Sequence, residues 1–156
     1  MVKDFLTTIH NNQKIILKVC RMYRDVKEDQ EDLFQEIVYQ LWKSYPGFKG
    51  ESKISTWVYR IALNVAIAIY RKPKLSIKYY DHIPESIHPS GAQKGSENEE
   101  RLFWALRKLN DSEKAIISLY LDEFSYQEIA VITGLNENNV GVRLNRVKNK
   151  LKEILK

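Results

Sequence analysis

Residues 124–155 read FSYQEIAVITGLNENNVGVRLNRVKNKLKEIL, and they decide the fold class. Ser125 stands three residues before Glu128, the S-x-x-E spacing of a capping box. Ile129, Ala130 and Ile132 then give a short helix its inward face. Gly134 follows, where a sharp turn needs a left-handed residue. Leu135 plugs that turn, and Asn136 can cap the next helix. Val140, Leu144, Val147, Leu151 and Ile154 recur at helical spacing and predict one continuous buried stripe. Helix, glycine turn and helix is the unit that lays its second helix in the major groove of DNA.

With that stripe inward, Asn138, Val142, Asn145 and Asn149 point outward, flanked by Asn139, Arg143, Arg146 and Lys150. Asparagine can bridge adenine edges and arginine guanine edges. Lysines further along suit phosphates. The competing reading is a solvated helix on a small bundle. A tight glycine turn followed by a basic helix is hard to obtain from bundle packing alone. Gly141, inside the second helix, costs roughly 1 kcal/mol against alanine. It either permits close approach of the DNA backbone or only weakens the helix, and the sequence does not decide.

Upstream, helical periodicity continues and no strand alternation stands out. Residues 97–109 carry Leu102, Phe103, Leu106 and Leu109 on one stripe. Asp111 or Ser112 is expected to cap a helix holding Ala115, Ile116, Leu119 and Tyr120. Residues 73–96 contain Pro73, Pro84, Pro89, Gly91 and Gly95 and read as a linker. The expected organisation is therefore all-α, with helical modules at residues 1–72 and 97–156 joined by that flexible linker. Neither module alone buries much core.

In the first module, residues 1–24 predict one or two short helices with a break at Asn11 and Asn12. Residues 29–45 predict a stronger helix with acids in its first turn, as the helix dipole favours. Its stripe is Leu33, Phe34, Ile37, Val38, Leu41, Trp42 and Tyr45, and Pro46 with Gly47 stops it. After a short connection comes WVYRIALNVAIAIYRKPK, residues 57–74. This helix is expected to start at Ser52 or Ser55. Val58, Ile61, Ala62, Val65 and Ile69 are its expected apolar face, and Trp57 reads mainly as core. Asn64 is the one polar residue in its central apolar run.

That run is about half of the roughly 20 apolar residues a membrane span needs. The first residues, MVKDFLTTIHNNQ, lack the apolar core of a signal peptide, so a cytoplasmic protein without membrane insertion is expected. Cys20 is the single cysteine and His10, His82 and His88 lie far apart, which gives no disulfide framework and no zinc spacing. Cys20 itself reads as a small buried residue. No catalytic constellation, metal cluster or phosphate-cradling glycine loop is present, so neither an enzyme nor a cofactor or small-molecule substrate is expected. The formal charge of +5 fits a polyanionic partner. Its distribution is uneven: Asp25, Glu28, Asp29, Glu31, Asp32 and Glu36 form an acidic block, while the C-terminal helix is basic. Two differently charged surfaces suggest two partners.

Three patterns occur in order along the chain: D-L-x-Q-E from Asp32, W-x-Y-R-I-A-x-N from Trp57 and S-Y-x-E-I-A from Ser125. Together they resemble the sigma-70 family of RNA polymerase sigma factors. Residues 32–72 are similar to its region 2 and residues 109–155 to its region 4. With two regions and a short linker, the chain resembles the extracytoplasmic function (ECF) type. The resemblance implies that Asp32, Leu33, Gln35 and Glu36 dock on core RNA polymerase. It implies that Phe48, Lys53, Tyr59, Arg60, Ile61 and Asn64 bind single-stranded minus-10 promoter DNA, with Arg71 and Lys72 tracking phosphates. A base held outside the stack costs a few kcal/mol, which stacking, hydrogen bonds and a positive groove must offset. It implies that Asn139, Gly141, Val142, Arg143, Asn145, Arg146 and Lys150 read the duplex minus-35 element. The family has a basic residue where Gly141 stands and a small polar one at Val142, so promoter preference is expected to differ. An anti-sigma factor is a further implied partner. The alternative is a stand-alone two-domain helix-turn-helix regulator.

Overall fold

A computed structural model describes residues 2–50, 52–71 and 96–156. Every element longer than a turn among them is an α-helix. The chain divides into two compact units, Met1–Ala92 and Gln93–Lys156. The expected linker, residues 73–96, lies outside the described residues apart from Ser96.

The first unit holds α1 (Val2–Asn11), α2 (Gln13–Tyr23), α3 (Lys27–Ser44), a single 3-10 turn (Tyr45–Gly47) and α4 (Ile54–Arg71). The break between α1 and α2 falls at Asn12. That residue is buried, and its side-chain amide donates to the Thr8 carbonyl at 2.8 Å. The helices α2, α3 and α4 pack on one another in all three pairings, and α1 folds back on α2. Their shared interior is Ile16, Val19, Met22, Leu33, Ile37, Leu41, Val58 and Ala62, all nearly inaccessible to solvent. Each larger side chain there contributes about 1.5–3 kcal/mol by leaving water. Cys20 lies in this core, where burial pushes its thiol up to about 12 against the opposing pull of Arg24.

Two local expectations are corrected. The helix α4 begins at Ile54, and the Lys53 carbonyl accepts its first helical bond from Trp57 N–H at 3.1 Å. Lys53 therefore stands at the cap, not Ser52 or Ser55. The buried face of α4 is Val58, Tyr59, Ala62, Leu63 and Ala66, while Ile61 and Val65 are half-buried. The stripe is rotated because α4 is contacted by both α2 and α3, so it buries a broader arc than one neighbour requires.

The second unit holds α5 (Glu97–Arg107), α6 (Asp111–Leu121), α7 (Tyr126–Thr133) and α8 (Glu137–Ile154). Here α6, α7 and α8 pack mutually, and α5 lies on α8. The cap of α6 is Asn110, with Glu113 as its reciprocal partner, not Asp111 or Ser112. An Asn whose oxygen takes the N3 amide while N3 Glu returns the bond satisfies two end groups at once. The N-x-x-E spacing was present in the sequence one residue before the expected cap.

Candidate nucleic-acid interfaces

The helix-turn-helix is built from its caps. Glu128 N–H donates to Ser125 Oγ at 3.1 Å, and Ser125 N–H donates to Glu128 Oε1 at 2.9 Å. At the far end of α7, Gly134 takes φ 78° and its N–H reaches the Ala130 carbonyl at 2.9 Å. A residue with a Cβ adopts that backbone only under strain. Two residues on, Asn136 Oδ1 accepts from Asn139 N–H at 2.8 Å and starts α8.

The helix α8 buries Val140, Leu144, Val147 and Leu151, and Ile154 is half-buried. Asn138, Asn139, Val142, Arg143, Asn145, Arg146, Asn149 and Lys150 are all exposed. The outward face thus presents amides, guanidinium groups and one valine, which is 49% exposed. Two of its cations lean on α6: Arg143 Nη1 donates to Ser112 Oγ at 3.2 Å, and Lys150 Nζ meets Glu113 Oε1 at 3.0 Å. Sequence spacing alone gave no hint of these partners, which lie more than 30 residues away.

Gly141 lies beside Tyr126, a neighbour that sequence spacing did not reveal. A Cβ built there would stand 3.4 Å from Cε2 of Tyr126, the first residue of α7. The glycine therefore sits under an aromatic ring that remains 39% exposed. On the same flank, Lys148 Nζ lies 4.0 Å from the Tyr120 ring centroid. A hydrogen bond to Tyr120 raises the Lys148 ammonium pKa against a smaller desolvation effect.

The second candidate surface lies on α4. Trp57, Arg60, Ile61, Asn64 and Ala68 recur every three or four residues and share one strip. Asn64 is exposed, Trp57, Arg60 and Ile61 are half-exposed, and Lys53 is exposed just before the helix. The strip is anchored by aromatic contacts. Phe48 meets Trp57 at 5.0 Å between centroids, Trp57 meets Tyr45 at 6.1 Å, and Tyr45 meets Phe5 at 5.3 Å. Phe5 in turn meets Trp42 edge-on at 4.9 Å. Such pairs contribute about 0.5–1.5 kcal/mol each beyond burial. They fix the connection between α3 and α4 to the bundle. Trp57, expected mainly as core, is a half-exposed member of the strip.

Tyr59 departs from expectation. Its ring is 0% exposed and lies under the Lys18 ammonium, 5.3 Å from the centroid. A sealed ring is core and offers no face to a nucleotide base. The side chains of Arg71 and Lys72 fall outside the described residues.

Asp25, just before α3, is exposed, as are Glu28, Asp29, Glu31 and Asp32 on the helix, and Gln35 is half-exposed. Leu33 and Glu36 are not available in the same way. They are 2% and 7% exposed and belong to the helix's inward side. A D-L-x-Q-E pattern spans more than a full helical turn, so Leu33 faces away from Asp32, while Glu36, one turn after Asp32, is nevertheless buried. Among the described residues no group of three metal-ligating side chains occurs. No helix among them is long and apolar enough to cross a membrane.

Comparison with known proteins agrees with this geometry. Residues 8–74 match the family model described as Sigma-70 region 2, and residues 100–151 match Sigma-70, region 4. The ECF RNA polymerase sigma-E factor of Escherichia coli strain K12 is 32% identical over 136 residues, covering 77% of this chain and 70% of that protein. The ECF RNA polymerase sigma factor SigG of Mycobacterium tuberculosis is 36% identical over 64 residues. That match covers 41% of this chain and only 17% of SigG. Among solved structures, the sigma factor RpoE of Bartonella quintana, crystallised with the anti-sigma factor NepR, superposes with a TM-score of 0.75. It shares 25% identity over 98% of this chain and 97% of that one. Two regional models in the right order, a relative matched over most of both lengths and a full-length structural likeness place the protein: the chain belongs to the sigma-70 family of RNA polymerase sigma factors, in its ECF group.

Proposed function

We propose that this protein is a dissociable, non-enzymatic initiation subunit that binds core RNA polymerase in the cytoplasm and directs it to promoters. The observation that carries this reading is the pairing of two exposed recognition faces on one chain. One is the α4 strip with Asn64 at its centre; the other is the outward face of α8. A regulator that only gripped duplex DNA needs the second and has no use for the first.

In this reading Arg60, Ile61, Asn64 and the half-exposed Trp57 receive a non-template base at the minus-10 element. Phe48 and Lys53 shape the entrance, and Arg71 and Lys72 follow the strand. The α8 face reads the minus-35 duplex. The exposed acids of α3, with Asp32 and Gln35 at their edge, dock on a basic surface of polymerase; complementary charge favours encounter. Leu33, Glu36 and Tyr59 support these surfaces from within. Residues 73–96 tether two weak grips, which gain through effective concentration when polymerase spaces them correctly. By analogy with the Bartonella protein solved with NepR, an anti-sigma factor would hold this chain inactive.

The test is reconstitution. Purified chain mixed with sigma-free core polymerase should form a complex at micromolar concentration and start transcripts on a matching promoter. Failure to form that complex overturns the reading. Tight, specific duplex binding by the chain alone, without polymerase, would instead favour the two-domain regulator.

A further inference from the structure

We propose that Val142 is a specificity-determining residue that selects a thymine in the upstream element by contacting its C5 methyl group. This rests on the reading of α8 as the duplex-reading helix. Val142 lies in the second turn of that helix, the portion that faces base edges when such a helix enters the major groove. It is 49% exposed, yet Asn138, Asn139, Asn145 and Arg146, three or four residues away on the same face, are all polar. An exposed aliphatic group on such a face gains nothing from water.

Its surroundings leave it accessible. The preceding residue is Gly141, which projects no side chain and is itself covered by the Tyr126 ring. The following residue, Arg143, is turned toward Ser112 Oγ at 3.2 Å. Neither neighbour shields the valine methyls. Valine cannot hydrogen-bond, so placing it against the polar edge of adenine, guanine or cytosine removes their hydration without return. Thymine alone presents a methyl group in the major groove. Apolar contact there is the one base-edge interaction this side chain can make favourably.

The experiment uses holoenzyme reconstituted from core polymerase and the full chain. A promoter library randomised upstream is selected, and each thymine of the recovered element is then replaced singly by deoxyuridine, which removes only the methyl. One replacement should weaken binding about 3- to 5-fold, the effect of losing one buried methyl contact. Val142→Ser should bind that thymine and deoxyuridine equally, and its own selection should relax at that position. A recovered element with no deoxyuridine-sensitive thymine overturns the assignment, as does sensitivity that persists unchanged in Val142→Ser. Because Val142 is exposed, the variant should melt within a few degrees of the parent. If the library yields no upstream preference at all, the base-reading role of α8 falls too. A specific but methyl-insensitive element sinks the Val142 assignment alone.

Discussion

Lys150 and Glu113 are joined through a single oxygen. Glu113 Oε1 accepts the Lys150 ammonium at 3.0 Å and also accepts Asn110 N–H at 2.9 Å, so one carboxylate closes the α6 capping box and ties α8 to it. Partial burial pushes the Glu113 carboxyl up, but the Asn110 hydrogen bond and Lys150 outweigh it and leave it below its ordinary 4.5. A carboxyl depressed in the folded state stabilises above its unfolded value and loses that contribution as pH falls through the folded one. Glu113→Gln should therefore lower stability at pH 7 by less than about 1 kcal/mol, because the pair is solvent-screened. Glu113→Ala should cost about 1 kcal/mol more through the lost cap. Thermal melts by circular dichroism at pH 7 and below pH 4 check this. The gap between parent and Gln variant should shrink in acid, and a constant gap would contradict the pairing.

The same pairing divides the cations of α8. Lys150 must leave Glu113 to meet a phosphate fully, whereas Arg146 is exposed on the adjoining turn. Each phosphate contact contributes about 0.9 to the slope of log affinity against log salt. Arg146→Ala is expected to reduce the slope for promoter binding by holoenzyme by close to one contact, and Lys150→Ala by clearly less. Restoring a full-contact effect at Lys150 in a Glu113→Gln background would identify the competition directly. Equal slopes in all variants would show that these side chains do not reach the DNA backbone.

The helix-turn-helix was legible in the sequence because its signals are local. Ser125 with Glu128, Gly134 and Asn136 each act within four residues, and the stripe from Val140 to Leu151 follows helical spacing without interruption. The α4 surface was only half legible. Asn64 announced itself as a polar residue in an apolar run, but the rotation of the buried face depended on both α2 and α3. Tyr59, implied as a DNA contact only by the family resemblance, is sealed, and Trp57, read mainly as core, is half-exposed. Contacts such as Tyr126 over Gly141 or Arg143 on Ser112 join residues whose spacing carries no periodic signal.

Gly141 gives a stability prediction of unusual sign. A Cβ at that position would stand 3.4 Å from Tyr126 Cε2, an ordinary van der Waals distance, and the backbone there is helical. Gly141→Ala should stabilise the C-terminal unit by up to about 1 kcal/mol from helix propensity. Gly134→Ala should do the opposite by roughly 1 kcal/mol, since φ is 78° there and nothing packs against the site. Denaturant titration of each variant measures both. Destabilisation by Gly141→Ala would mean that the added methyl is not accommodated beside Tyr126.

Asn64 and Tyr59 separate reading from folding on one helix. Asn64 is exposed in the middle of α4, so Asn64→Ala removes no packing and replaces a weak helix former with a strong one. Stability should be unchanged or raised by a few tenths of a kcal/mol. Binding of holoenzyme to a single-stranded minus-10 oligonucleotide should fall roughly tenfold, the worth of one or two hydrogen bonds to an extruded base. Tyr59 is fully buried beneath Lys18, so Tyr59→Ala should cost about 3–5 kcal/mol and lower activity only through the folded fraction. Tyr59→Phe keeps the ring and should retain single-strand binding. Measured on the same preparations, melting temperature and oligonucleotide affinity should thus move independently at Asn64 and together at Tyr59. Were Asn64→Ala to leave the affinity intact, α4 would be a packing helix with an incidental asparagine.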